Sequence, residues 1–376
     1  EYDALYGECQ KSLYTEGYRI YTSIDLDMQQ MLQDTVDSHL AEFTEQNEEG
    51  IFALQGAAVC IDNHTGHVKA IVGGRNQNLP GYTLNRAYQS FRQPGSAIKP
   101  LLVYTPALEG KYTPDTIVQD VKTEEGPSNS SGWYEGDITL RRAVAASKNT
   151  VAWNMLEELT PQTGLAYLKN MKFSRIDPKD ERPTSALGGF TNGVSAVEMA
   201  SGYAAIVHDG KFREPTCITK ITDADDNVIL ETQSEEVEIY KKNAARMMTD
   251  MLVSVLQEGT GQGLALSAMP SAGKTGTTND NKDGWFVGYT SYYTTSVWVG
   301  YDMPRELPGL SGSSYPGGIW QAFMEQVHQG LEPVAFLPYI DENKAPLDDE
   351  EYLDGMQEEQ GGPQGEGWPE GQEVFQ

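Results

Sequence analysis

Residues 271–302, SAGKTGTTNDNKDGWFVGYTSYYTTSVWVGYD, decide how this chain folds. Within them AGKTGTT, WFVGYT and YYTTSVWVGYD are strand-like runs, rich in β-branched and aromatic residues and set at hairpin spacing. They predict three antiparallel strands. ALQGAAVCIDNHTGHVKAIVGG, residues 53–74, reads as two more, 56–62 and 67–73, around a turn at Asn63–Gly66. YRIYT, residues 18–22, alternates like a further strand. Strands at both ends with helical sequence between them predict an α+β fold, one antiparallel sheet being assembled from both ends of the chain.

The helices read from their periodicity. Asp25 is placed to cap a helix carrying Met28, Met31, Leu32, Val36, Leu40 and Phe43 on one face. Between about 85 and 215, helical patterns at 97–109, 138–158, 161–171 and 194–209 are broken by Gly, Pro, Ser and Asn. Residues 217–239 read as one or two short strands around a DADDN turn. An amphipathic helix at 241–257 carries Met247, Met248, Met251, Leu252 and Val255 and ends at Gly259. That methionine stripe is core packing at helical spacing. A last helix covers about 318–329, and no internal repeat stands out.

The 376 residues suffice for two domains, or for one large domain with extensions and a sizeable core. The net charge of −28 argues against nucleic acid or an anionic membrane face as main partner. Much of it is local, because residues 341–376 hold 12 acids against one lysine. That Glu-, Gly-, Pro- and Gln-rich stretch has too few aliphatic residues to offset its ordering entropy and reads as a disordered tail. Cys9, Cys60 and Cys217 form neither a disulfide framework nor a metal-ligand spacing, and Cys60 lies in an apolar run as a small core residue. No run of 18 apolar residues exists to span a membrane, and no signal peptide opens the chain. It starts at Glu1 in polar sequence and reads as a piece of something longer.

Three short motifs follow in order: Ser96-Ala-Ile-Lys99, Ser147-Lys-Asn149 and Lys274-Thr-Gly-Thr277. Each alone is weak. Ser-x-x-Lys recurs at Ser271–Lys274, but there it opens a strand, where residues three apart point to opposite faces. Ser96 and Lys99 open a helical run, where they share a face. Read alone, they are a helix cap and a surface lysine. The ordered triple changes that reading. A serine hydroxyl attacks only when a base takes its proton. Lysine serves as that base when burial or a second cation lowers its pKa, and Lys274 is the candidate cation. Ser147 is placed to relay protons between Lys99, Lys274 and a leaving amine. Asn149 offers hydrogen bonds to a substrate amide. Lys274, Thr275 and Thr277 offer a cation and hydroxyls to a substrate carboxylate, with Gly276 leaving room along the strand edge. The N–H groups of Ser96 and Thr277 are candidates for an oxyanion hole.

These motifs, with GYRIYTSIDLDMQQ, NRAYQSFRQPGSAIKPLLVYTPALEG, ITLRRAVAASKNTVAWN, GKTGTTNDNKDGWFVGYT and VWVGYD, resemble the transpeptidase domain of class A (bifunctional) penicillin-binding proteins over about residues 18–330. The resemblance implies a β-lactamase-like fold: a five-stranded antiparallel sheet with flanking helices and an all-helical subdomain. It implies a linker or pedestal remnant at 1–24 and a transpeptidase domain at 25–335, while the acidic disordered tail at 336–376 is not part of the family's core pattern. The sheet would come from about 25–75 and 210–335, the helical subdomain from about 85–210. It implies a serine-type D-Ala-D-Ala transpeptidase that cross-links peptidoglycan stem peptides through an acyl-enzyme on Ser96 and is acylated there by β-lactams. No cofactor and no metal are expected. Family members carry an N-terminal membrane helix and a glycosyltransferase domain, neither of them in these residues. The implied location is the outer face of the bacterial cytoplasmic membrane, through that missing anchor.

Two rivals share the motifs: a serine β-lactamase and a β-lactam-sensing receptor domain. A class A lactamase places a Glu-x-x-Leu-Asn loop past the second motif, and Glu181-Arg-Pro-Thr-Ser lacks the Leu-Asn. His64-Thr-Gly-His67 is read as a hairpin turn, because no third ligand is nearby. Trp133 and Tyr134, in a Gly/Ser-rich loop before the second motif, are candidates to line a substrate groove.

Overall fold

The protein is described from a computed structural model, which covers residues 2–77 and 83–341. Five strands form one antiparallel sheet in the order Ala272–Thr277, Asp283–Tyr289, Tyr293–Tyr301, Leu54–Asp62, Val68–Val72. Successive side chains enter opposite cores. Ala57, Val59 and Ile61 join Trp285, Val287 and Tyr289 on one face, and Leu54, Ala58 and Cys60 join Phe286, Val297 and Val299 on the other. Both faces are covered, so the central strands are buried along nearly their whole length. Helices Ala196–Val207 and Lys242–Glu258 pack on the first face, Leu26–His39 and Tyr315–Val327 on the second. Asp25 caps its helix by accepting the Met28 N–H at 3.0 Å, and Met28, Leu32 and Val36 are buried in a row four residues apart.

Several elements differ from expectation. The strand at 18–22 does not join the main sheet. Arg19–Thr22 pairs with Ile218–Thr222, and that with Val228–Glu231, as a separate three-stranded sheet. The main sheet therefore takes its later strands from 272–301 alone. A helix, Tyr2–Thr15, precedes it, where the polar sequence gave no periodic signal. One compact unit runs to Tyr339, past the expected boundary at 335, because Phe336 and Tyr339 pack against the core. Of the tail, residues 342–376 lie outside the described residues.

Both expected helices that carry motif residues are broken. Residues 97–109 form a 3₁₀ turn (Gly95–Ile98), a π-helical stretch (Pro100–Tyr104) and one α-turn (Thr105–Leu108). Pro100 and Pro106 have no N–H to give, so the regular ladder cannot run. The expected helix 138–158 becomes the strand Gly136–Thr139, the helix Leu140–Ala145 and the helix Asn149–Leu159. Its strand pairs with Ile117–Asp120. Ser147 stands between the two helices at φ 55°, a left-handed conformation that ends the first before the second begins.

Candidate active site

Ser96 lies on the 3₁₀ turn, half-buried, and its hydroxyl has no hydrogen-bond partner among the described residues. The turn makes its own bonds, Lys99 N–H to Ser96 O and Ala97 N–H to Pro94 O at 3.3 Å, and is held from outside as well. Tyr203, from the buried helix Ala196–Val207, donates its hydroxyl to Ala97 O at 2.6 Å, and Tyr240 donates to Leu101 O at 2.7 Å. Trp285 Nε1 donates to Gln93 O at 2.9 Å just before the turn. These donors serve carbonyls that the broken helix leaves to others.

Lys99 is fully buried, and the hydrogen bonds of its ammonium go to the second motif. Nζ lies 2.8 Å from Ser147 O, 2.8 Å from Asn149 Oδ1, 3.3 Å from Lys148 O and 3.4 Å from Ser147 Oγ. Lys274, also fully buried, donates to the same Ser147 Oγ at 2.9 Å and to Thr275 O at 3.0 Å. Two lysines thus meet on one hydroxyl. Burial first, and the Lys274 charge second, hold Lys99 well below the usual lysine range. Burial lowers Lys274 to about 7. Lys274 was expected both as the cation beside Lys99 and as an attractor of a substrate carboxylate at the sheet edge, and its side chain is fully buried.

The third motif packs directly on the first. A Cβ on Gly95 would stand 2.6 Å from Thr277 O, and one on Gly276 would stand 2.4 Å from Pro94 O and 3.0 Å from Ala97 N. Glycine at 276, expected to leave room for substrate, is already required by the Ser96 turn. The Thr277 hydroxyl accepts the Gly312 N–H at 3.0 Å, which leaves its own proton to give. The Thr275 hydroxyl lies 2.6 Å from that of Thr260, an exposed residue with which no expectation was attached. Asn149 has its side chain engaged at both ends, Oδ1 by Lys99 and Nδ2 on Ser128 O at 3.0 Å. Trp133 is 78% exposed, its backbone tied to the second motif through Asn129 Nδ2 at 2.9 Å. Glu181 is exposed and accepts a hydrogen bond from Gln162.

Sequence reasoning missed the supports: Tyr203, Tyr240, Thr260, Gly312 and the buried Asp120 with Asn129. Only the glycines carried a usable signal, since close backbone approach is one of their standing uses. The tyrosines and Asp120 act across long separations that no local pattern marks. A cavity of about 610 Å³, lined by Tyr88, Phe91, Arg175, Glu198, Phe212 and Glu214 among others, includes none of the motif residues. Among the described residues there is no cluster of His, Cys, Asp and Glu able to hold a metal ion, and no helix long and apolar enough to cross a membrane.

The chain matches the family described as the penicillin binding protein transpeptidase domain over residues 56–325. It is 33% identical over 349 residues to penicillin-binding protein 1A of Clostridium perfringens, covering 86% of this chain and 51% of that one. Against penicillin-binding protein 4 of Bacillus subtilis the identity is 33%, over 84% of this chain and 50% of that one. The chain thus spans about half the length of these relatives. Among solved structures, PonA1 of Mycobacterium tuberculosis in complex with penicillin V superposes with a TM-score of 0.76 at 25% identity, covering 88% of this chain and 91% of that one. Penicillin-binding protein 1A of Haemophilus influenzae has the same fold, with a TM-score of 0.73 at 19% identity over 86% of this chain and 68% of that one.

Proposed function

This chain belongs to the penicillin-binding protein transpeptidase family, and from that membership we propose that it is a peptidoglycan DD-transpeptidase acting through an acyl-enzyme on Ser96. The observation that carries the reading is the pair of buried lysines meeting on Ser147, one of them three residues from a serine whose hydroxyl has no partner among the described residues. A lysine kept neutral retains two N–H groups for Ser147 O and Asn149 Oδ1 and has a lone pair left over. That lone pair makes Lys99 the base of the first step. Ser96 Oγ attacks the carbonyl carbon of the penultimate D-Ala and its proton passes to Lys99. The proton then moves through the Ser147 hydroxyl to the departing amine. The C–N bond breaks and the terminal D-Ala leaves. In the second step an amine of a neighbouring stem peptide attacks the ester, the C–O bond breaks, and a proton returns to Ser96.

Lys274 has two tasks in this scheme. It polarises Ser147 and, when protonated, adds its charge to the burial that keeps Lys99 neutral. Thr275, Gly276 and Thr277 form the edge along which the donor peptide lies, with Asn149 and Trp133 bordering the same groove. A β-lactam acylates Ser96 in place of the peptide. Because Glu181 is engaged by Gln162 and lacks the lactamase Leu-Asn, the penicilloyl ester is long-lived. The working location is the outer face of the cytoplasmic membrane, where stem peptides are found.

Labelling with a fluorescent penicillin tests the nucleophile. Ser96→Ala abolishes the covalent adduct while the melting transition persists, and an adduct retained by that variant would mean another serine. Incubation with a pentapeptide donor and an amine acceptor tests the reaction. Release of D-Ala with a cross-linked product is expected. Penicillin labelling with no D-Ala released would instead leave a β-lactam receptor.

A further inference from the structure

Lys148, the middle residue of the second motif, carries no role in the scheme above. Its side chain is 4% exposed, and its ammonium lies 2.8 Å from Asp120 Oδ2 and 2.8 Å from Glu135 Oε1. Asp120 is fully buried and collects three further hydrogen bonds: from Asn129 Nδ2 at 2.6 Å, Thr150 Oγ1 at 2.6 Å and the Glu135 N–H at 2.9 Å. Burial pushes the Asp120 carboxyl up, but the bonds from Lys148, Thr150 and Asn129 bring it down to about 2. Glu135 is held in turn by Arg142 Nε at 3.0 Å. Asn129 Oδ1 accepts the Asn149 N–H at 2.8 Å. The loop around Trp133, the strand Ile117–Asp120 and the Ser147 turn are thus tied to one buried lysine.

All four acceptors around Lys99 Nζ belong to residues 147–149. What fixes that turn therefore fixes the base. The turn is not self-sufficient, since Ser147 is held at φ 55°, a conformation that persists in a non-glycine residue only when its surroundings impose it. The Lys148 carbonyl faces Lys99 while its side chain runs to Asp120. We infer that Lys148 is a positioning residue for acylation: anchored between Asp120 and Glu135, it holds the Ser147 turn at the distance from Lys99 that the proton relay needs. The inference rests on the transpeptidase reading and adds to it a residue whose side chain touches neither substrate nor the reacting atoms.

The test is labelling of the full chain with a fluorescent penicillin over a range of concentrations, which separates the Kd of the initial complex from the acylation constant k2. Lys148→Met lowers k2 about 10- to 100-fold, the cost of a displacement of about 1 Å at a catalytic group, with Kd nearly unchanged. Glu135→Gln keeps the Asp120–Lys148 pair and lowers k2 less, with an unchanged melting temperature. A purely structural role reduces the fraction of molecules labelled and leaves k2 of that fraction at the parent value, and this result overturns the inference. Should Lys148→Met fail to fold, Glu135→Gln decides in the same terms: k2 below the parent supports the inference, and k2 equal to it overturns it. A parent chain that takes no label tells against the transpeptidase reading instead, so the two failures are distinguishable.

Discussion

Gly276→Ala separates two reasons for a glycine in the third motif. If glycine only leaves room for substrate, the added methyl slows acylation and spares stability. The packing says otherwise. The new Cβ would stand 2.4 Å from Pro94 O, 2.9 Å from Ala97 Cβ and 3.0 Å from Ala97 N. Two of these atoms are backbone and cannot rotate aside. Since non-bonded carbons settle at about 3.5–4.0 Å, relief needs about 1 Å of movement between the strand and the Ser96 turn. Overpacking of this kind costs about 1–3 kcal/mol. For a chain of this size, at about 2.1 cal/mol/K of unfolding entropy per residue, that lowers the melting temperature by about 1–4 °C. The same movement displaces Ser96 and costs about 100-fold in acylation. Thermal melting followed by circular dichroism, alongside penicillin labelling at a temperature where the variant is fully folded, measures both. A Gly276→Ala chain that melts with the parent would refute the packing argument, whatever its rate.

Two more expectations follow from the buried site. Burial lowers Lys274 from the ordinary 10.5 to about 7, and Lys99 shifts in the same direction. Below about 7 Lys274 is charged whether folded or not, and between about 7 and 10.5 the unfolded chain holds a proton that the folded chain has released. Stability from this source therefore rises with pH across that window. Melting temperatures from pH 7 to 9.5 should climb in the parent and climb less in Lys274→Met; equal slopes would count against a depressed Lys274. The series stops there because the tyrosines at 203 and 240, pushed up by burial, act in the opposite sense at higher pH. Tyr203→Phe removes the donor to Ala97 O, costs about 1–3 kcal/mol and slows acylation. Tyr240→Phe, whose loss falls at Leu101 O, costs similar stability and slows acylation less, and equal rates in the two variants would sink the idea that Tyr203 holds the Ser96 turn.

The strands of the main sheet and the order of the motifs are legible in the amino-acid sequence alone, though not which strands pair. Strands at 56–73 and 272–302 alternate between two apolar faces, and a period of two is a local property of neighbouring residues. The helix from Asp25 and the one at 242–258 were legible for the same reason, with a period of 3.6. The three motifs were legible as residue types in order. Tertiary structure decided how they meet. The broken helices at 95–108 and 140–159 follow from Pro100, Pro106 and a left-handed Ser147, whose strain is tolerated only because distant groups hold it. Tyr203 reaches Ala97, and Lys274 reaches Ser147, across separations of 106 and 127 residues. Which acceptors Lys99 finds, and how deeply Lys274 is buried, depend on partners brought in from elsewhere. Spacing along the chain sets which residues can share a face, but the free energy of a buried charge is set by what surrounds it in space.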